Sequence, residues 1–510
     1  MLGRKSFLVT INRIFQYFTG WLGLFFIARF MANPDYNYGI VQFALGLVTM
    51  FAFLSSFFDG AHVKRISGGE IEDERCMGTF IGLKTLATII TIAVILGGLT
   101  FWNYALGRGF ESPTHETVVY IILGFFLLKS VASIAIQTFR ARMEIAKKEL
   151  LVFMDQSVPT IFIIYVALTG GEAIQLALTY LAGGTLMLLV ALFYLKDIKV
   201  KRPNMESIKS YWEFALPGFF SKLVGQFGNK VDIVMVQLFW GSSHVGFYAA
   251  GKSLAMIVSG MIAGIGLLVF PTISRYHAKG DWESLQKAVV GASRYTTLFI
   301  SPVIIFLLLF PEKIISIMIS NAFLPASPIV RILAINSFFL LYSHPFRQVF
   351  GGTNRPGLGA KISIAGNLVN VALNLILIPD SLFNVPLLGL KEVGAAIATL
   401  TAGIIITITS MLVSKRIVHW NFSPSVLYHI SAAIASGSVL YILEMQFMAI
   451  SRFYHLFIYG GLMLGIYISI LYFIGEFTKK EWDYIMEAIN PKEMVKYVRD
   501  ELTENDSKKR

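Results

Sequence analysis

Residues 86–101, 118–136, 160–169, 297–310, 362–379, 395–413, 425–443 and 456–474 form blocks that are almost free of charge. The longer ones reach the roughly 18 apolar residues that let a helix cross a bilayer, since each residue advances a helix by only about 1.5 Å. Composition agrees. Of 510 residues, 55% are hydrophobic and 15% charged, with a mean hydropathy of +0.66, whereas an ordinary soluble domain carries about a quarter charged residues. The chain therefore reads as an all-α polytopic membrane protein.

About 14 spans fit, near 10–32, 38–59, 79–101, 117–138, 150–170, 173–195, 213–239, 244–270, 290–310, 328–350, 359–379, 393–414, 425–447 and 454–475. The first, second and seventh hold the most polar residues. The N-terminal stretch starts basic but lacks a small-residue cleavage site, so it reads as an uncleaved first helix. With the N-terminus inside, the outer loops hold only Arg108, Lys313, Lys391 and Arg452, and the other loop lysines and arginines lie inside. That asymmetry is the positive-inside pattern. An even number of spans then makes both termini cytoplasmic. The net charge of +12 sits on the face that meets anionic lipid and needs no nucleic acid.

Tyr38-Gly39-Ile40 opens the second span and Val245-Gly246-Phe247 the eighth, 207 residues apart. At the same offset Ile66-Ser67 matches Ile273-Ser274, and Phe139-Arg140 matches Phe346-Arg347. The register predicts two six-helix lobes in parallel orientation, spans 1–6 within 1–200 and spans 7–12 within 201–417. Spans 13–14 (418–476) and a cytoplasmic tail (477–510), with a short amphipathic helix after Asn490-Pro491, complete the chain. The stretch KDIKVKRPNMESIKS, 196–210, is the expected inter-lobe linker. Two related lobes around a central site are a transporter layout.

The seventh span carries Lys222, Gln226, Asn229, Lys230 and Asp232. At about 100° per residue its polar groups share one face. A charge at the bilayer centre costs about 2.5–3.5 kcal/mol on insertion scales, so the two lysines belong in a watery cavity. By depth, Lys129 and Lys252 join them. Arg29, Lys84 and Arg331 lie nearer span ends, where snorkelling to the interface explains them equally well. Asp232 cannot pair with Lys230, because i and i+2 point apart. It either neutralises a lysine on another helix, the favoured reading, or binds a coupling cation, Na+ or H+; Asp155 is the corresponding acid of the first lobe. An excess of cations suits a phosphate or pyrophosphate cargo, which lysine binds as a point charge.

Other signals are weaker. Pro159, Pro217, Pro302 and Pro345 predict kinks. Gly260/Gly264 and Gly461/Gly465 are spaced for close helix packing. The loop GGTNRPGLG, 351–359, lacks the ending of a phosphate-binding loop and reads as a turn. Cys76 reads as a bystander thiol in a charged loop, and the eight histidines show no metal-ligand spacing. Glu70, Glu72, Asp73 and Glu74 read as a solvated loop, not as the acidic site a membrane glycosyltransferase needs. No catalytic residue, metal or cofactor is expected.

Four stretches together resemble the polysaccharide-biosynthesis, Wzx-like flippases of the multidrug/oligosaccharidyl-lipid/polysaccharide exporter superfamily. They are ARFMANPDYNYGIVQFA (28–44), YWEFALPGFFSKLVGQFGNKVDIVMVQLFWGSSHVGFYAAGKSL (211–254), VFPTISRYHAKGD (269–281) and the block from GNLVNVALNLILIP to GLKEVGAAIAT (366–399). The resemblance covers most of residues 10–415. It implies two six-helix bundles with alternating access that move a polyprenyl-(pyro)phosphate-linked oligosaccharide across the cell membrane of a prokaryote. It also implies a cationic central cavity, carried over to Lys222, Lys230 and Lys252 with Arg29 at its edge, and glycan polymerases or transferases as partners. Two alternatives share the fold: a cation-coupled drug antiporter, which needs an acid that span 1 lacks, and a peptidoglycan-precursor flippase.

Overall fold

Helices lie over all the predicted windows in the computed structural model, which describes residues 2–69, 71–105, 109–261, 263–446 and 449–477. In chain order they are α1 (Leu2–Phe30), α2 (Pro34–Met50), α3 (Ala52–Ser55), α4 (Asp59–Gly68), α5 (Asp73–Thr100), α6 (Pro113–Ala141), α7 (Ile145–Leu168), α8 (Ala173–Leu195), α9 (Met205–Ala215), α10 (Phe219–Trp240), α11 (Ser242–Met261), α12 (Ala263–Ala278), α13 (Trp282–Leu309), α14 (Pro311–Met318), α15 (Ser327–Gly352), α16 (Pro356–Leu377), α17 (Lys391–Val418), α18 (Ser425–Gln446) and α19 (Phe453–Phe473). A two-stranded antiparallel hairpin, β1 (Ser381–Leu382) with β2 (Val385–Pro386), follows α16.

Among the described residues, ten helices are long and apolar enough to cross a membrane, or eleven if α2 and its 45° continuation through α4 are one span. Two predicted spans differ from single long helices. The second bends after Met50. The seventh is interrupted by a 3-10 turn at Leu216–Gly218, which contains Pro217. The eighth is helical on both sides of residue 262, as α11 and α12. Pro159, Pro302 and Pro345 do lie inside helices.

One group of helices packs α1 on α7, α6 on α8, and α2 on α6. A second packs α15 on α17 and on α13, α16 on α17, and α10 on α16. The groups meet where α2 crosses α11 and α10. Small residues make such crossings close. A Cβ on Gly39 of α2 would stand 1.8 Å from the Ser242 carbonyl oxygen, and one on Gly246 of α11 would stand 2.2 Å from the Asp35 carbonyl oxygen. Asp35 and Ser242 are themselves 207 residues apart, so the contact is reciprocal, as across a twofold axis. The same offset relates Asn37, whose Oδ1 accepts from the Ala173 N–H that opens α8 at 3.0 Å, to His244, whose Nδ1 lies 2.6 Å from Glu392 in the first turn of α17. The sequence repeat is thus matched by equivalent contacts.

Several expectations are corrected. Cys76 is fully buried in the first turn of α5, not in a loop. Lys84 does not snorkel; it is 3% exposed and bonds Asp59 at 2.8 Å. The acidic stretch is not merely solvated. Lys201 bridges Glu72 and Glu74, and Arg142 lies 3.3 Å from Asp73. These carboxylates hold the Lys201 ammonium above its usual range. A Cβ on Gly78 would stand 1.8 Å from the Lys201 carbonyl oxygen, so the segment before α9 lies flat on α5. Tyr211 of α9 is fully buried there, its hydroxyl 3.0 Å from His62 Nδ1 and donating to the Cys76 carbonyl at 3.2 Å. Added methyls at Gly461 and Gly465 meet nothing within 4 Å, so that motif packs no helix among the described residues. The tail beyond Phe477 and the side chains around Gly260 and Gly264 lie outside the described residues.

Candidate functional site

A cavity of about 340 Å³ opens between α1, α2, α6 and α7, closed on its far side by Lys230 of α10 and Ser253 of α11. Its polar lining includes Tyr38, Gln42, Lys129, Asp155, Gln156 and Lys230. The Lys129 ammonium donates to Asp155 Oδ2 at 2.6 Å and lies 5.5 Å from the Phe125 ring centre. Lys129 keeps 42% of its side-chain surface exposed, so it faces the cavity while paired.

Beside the cavity, Asp232 is 2% exposed and accepts from three other helices: Tyr248 Oη at 2.7 Å, Asn374 Nδ2 at 2.7 Å and Thr399 Oγ1 at 3.2 Å. A buried carboxylate needs such donors to offset lost hydration. The Lys252 ammonium stands 3.6 Å from it, 3.4 Å from the Asn229 carbonyl oxygen and 5.3 Å from the Tyr248 ring centre. Lys230 is within electrostatic reach of Lys252, Lys129 and Asp232, yet no ion pair or hydrogen bond to it occurs among the described residues. Three ammonium groups thus share two carboxylates, and Lys230 carries the surplus charge.

Two of the sequence-predicted cations stand elsewhere. Lys222 donates to the carbonyls of Ser56 at 2.9 Å and Phe57 at 3.3 Å, where the chain breaks between α3 and α4. Its neighbouring charges are Asp59 and Lys84. Arg29 donates to the carbonyls of Ile317 at 2.5 Å and Ile319 at 3.1 Å, at the end of α14. Both satisfy carbonyls freed at helix ends and complement their negative dipole. Lys129, Lys230, Lys252, Asp155 and Asp232 are the predicted residues that come together. Tyr248, Asn374 and Thr399 were missed. Asn370 and Asn374, four apart in the apolar run of α16, were the available signal, because polar amides recurring on one face of a span need partners.

The chain matches the model of a family described as polysaccharide biosynthesis protein over residues 26–328. It belongs to that family. The matched stretch includes the cavity lining from Ile27 and α2 to Lys230 and Ser253, but not Gly20, Gly23 and Leu24 of α1. The chain is 24% identical over 399 residues to a relative described as a probable low-salt glycan biosynthesis flippase, Agl15, of Haloferax volcanii, covering 78% of this chain and 80% of the relative. In fold it is similar to the lipid II flippase MurJ in an inward closed conformation, with a TM-score of 0.69 at 16% identity, covering 92% of this chain and 98% of that one. It is also similar to an inward-facing multidrug resistance MATE transporter, with a TM-score of 0.65 at 13% identity over 80% of this chain and 98% of that one.

Proposed function

We propose that this protein is a flippase for a lipid-linked oligosaccharide, moving a polyprenyl-(pyro)phosphate glycan across the prokaryotic cell membrane by alternating access. The observation that carries the reading is the Lys230 ammonium, turned to a cavity whose other charges are paired. A phosphate entering there meets one uncommitted cation and two more, Lys129 and Lys252, whose carboxylates it can replace. A cationic drug meets the opposite balance. In this reading the chain has 14 spans with both termini cytoplasmic, in two six-helix lobes that rock about the α2–α11 crossing. Coupling to Na+ or H+ acts at Asp232, where an arriving cation competes with Lys252. Glycan polymerases or transferases take the product on the outer face.

The test is made on lipids. Depleting the protein from its host makes a complete polyprenyl-linked glycan accumulate, measured by mass spectrometry of extracted membranes. Re-expressed wild-type protein clears it. Lys230→Ala clears it at least tenfold more slowly, and Lys230→Arg recovers part of the rate. Unchanged lipids together with new sensitivity to cationic drugs would instead establish the antiporter reading; accumulation of a peptidoglycan precursor would establish a flippase with that cargo.

A further inference from the structure

A second cavity, of about 400 Å³, lies between the α5–α6 connection and the chain entering α11. Trp102, Glu111 and His115 line it from one side, and Trp240, Asp380 and Ser381 from the other. Its size suits a small-ligand site, for which about 300–1,000 Å³ is usual. Its chemistry is the reverse of the first cavity: two carboxylates line it, and no lysine or arginine does among the described residues.

The polar groups are held in place and left with unused capacity. Glu111 Oε2 accepts from the Ser242 N–H at 3.0 Å, the Ser242 hydroxyl at 2.6 Å and Gln237 Nε2 at 3.0 Å, while Oε1 accepts no hydrogen bond among the described residues. Asp380 is fixed by its backbone, whose carbonyl accepts from the Leu387 N–H at 2.7 Å across the base of the β1–β2 hairpin. Trp240 is pinned by its indole N–H, which donates to the Ile378 carbonyl at 2.7 Å. His115 is 2% exposed, edge-on to Phe43 and Phe110, with ring centres 4.9 and 5.4 Å away. Both of its ring nitrogens lack a partner among the described residues. A buried imidazole with two idle nitrogens needs a polar group to meet it.

Ligand classes can be sorted by charge and shape. A phosphate meets two carboxylates in the lining against one nearby cation, Lys391, whose ammonium is 4.6 Å from the Trp240 ring centre, and the balance repels it. A metal ion finds no converging set of three ligands among the described residues. An apolar molecule would bury the carboxylates and His115 unsatisfied. A neutral, hydroxyl-rich ring fits: its hydroxyls donate to the carboxylates, the imidazole both donates and accepts, and its C–H face packs on an indole.

We propose that this pocket is a saccharide site that engages the glycan head of the cargo at the outer end of the molecule. The orientation and the cargo class rest on the flippase reading above. The phosphate end and the sugar end of one molecule then have separate sites of opposite charge, one in each cavity.

The test uses the full-length protein in nanodiscs. The probe is the water-soluble glycan released by mild acid from the host's lipid-linked oligosaccharides. Saturation-transfer NMR and tryptophan fluorescence report its binding. Saturable binding is expected, uncompeted by inorganic pyrophosphate and unchanged by Lys230→Ala. It weakens at least tenfold in Trp102→Ala and in His115→Phe, which keeps the ring volume. Absence of saturable binding to the wild type overturns the proposal, as does binding that neither substitution alters. If depletion still makes lipid-linked glycan accumulate while the free glycan does not bind, the pocket assignment falls and the flippase reading stands. If the free glycan binds through these residues but no lipid-linked glycan accumulates, the flippase reading falls alone.

Discussion

Replacing Gly39 or Gly246 by alanine tests the crossing of α2 and α11. The added methyl would stand 1.8 Å from one backbone carbonyl oxygen in the first case and 2.2 Å in the second. Non-bonded heavy atoms settle at about 3.5–4.0 Å, so the helices must part by about 1 Å or more at either site. Neither obstructing atom can rotate away, because both belong to helix backbone. Overpacking costs about 1–3 kcal/mol in general, and this geometry belongs at the upper end. A cost of about 3 kcal/mol shifts the equilibrium for closing this junction by roughly 100-fold. The two sites share one gap, so Gly39→Ala with Gly246→Ala costs less than the sum of the single changes. Gly82→Ala, where an added methyl meets nothing within 4 Å, serves as the neutral control. Thermal unfolding in detergent and clearance of lipid-linked glycan in the host are the two readouts. Wild-type behaviour of Gly39→Ala in both, or full additivity of the pair, would refute the close crossing.

Three further outcomes follow from the polar contacts. Lys84→Met strands the Asp59 carboxylate in a site where its partner is 3% exposed; the loss is about 3–5 kcal/mol, and Asp59→Asn in the same chain restores most of it, read as the unfolding midpoint. Lys129→Met costs about 1 kcal/mol or less, because that lysine faces the open cavity, but it slows glycan clearance, whereas Lys129→Arg does not. Tyr211→Phe removes the hydroxyl beside His62 and Cys76 and costs about 1–3 kcal/mol, measured by the same unfolding assay.

Much of the fold was legible because a bilayer demands long apolar runs, and such runs survive in a single sequence. The breaks were less legible. The bend after Met50 carries no proline. The repeat was visible from a few residues because Gly39 and Gly246 answer the same steric demand from opposite sides of one contact. In the site, the helical face of α10 singled out Lys230 and Asp232, of which Asp232 meets Tyr248, Asn374 and Thr399. The face could not say that Lys222, two turns away, would be used by the carbonyls of Ser56 and Phe57. Arg29 fails for the same reason: a cation's fate depends on which helix end lies opposite, and that is a tertiary fact. Asp59 was overlooked because it sits at the end of an apolar window, where an acid looks solvated until Lys84 is placed beside it.

The docking of α9 bears on how the chain is made. Tyr211 fills the space between α4, α5 and α6, and Lys201 straps the preceding segment to the acidic start of α5. The core around Tyr211 is therefore not finished when synthesis of α8 ends at Leu195; it stays open until Ala215 has been synthesised. A fragment ending near residue 200 should emerge with His62, Cys76 and Phe80 uncovered and be prone to degradation, while one ending after Ala215 carries its own plug. Only the turn at Leu216–Gly218 separates α9 from α10, so α10 begins to assemble tethered directly to a completed core.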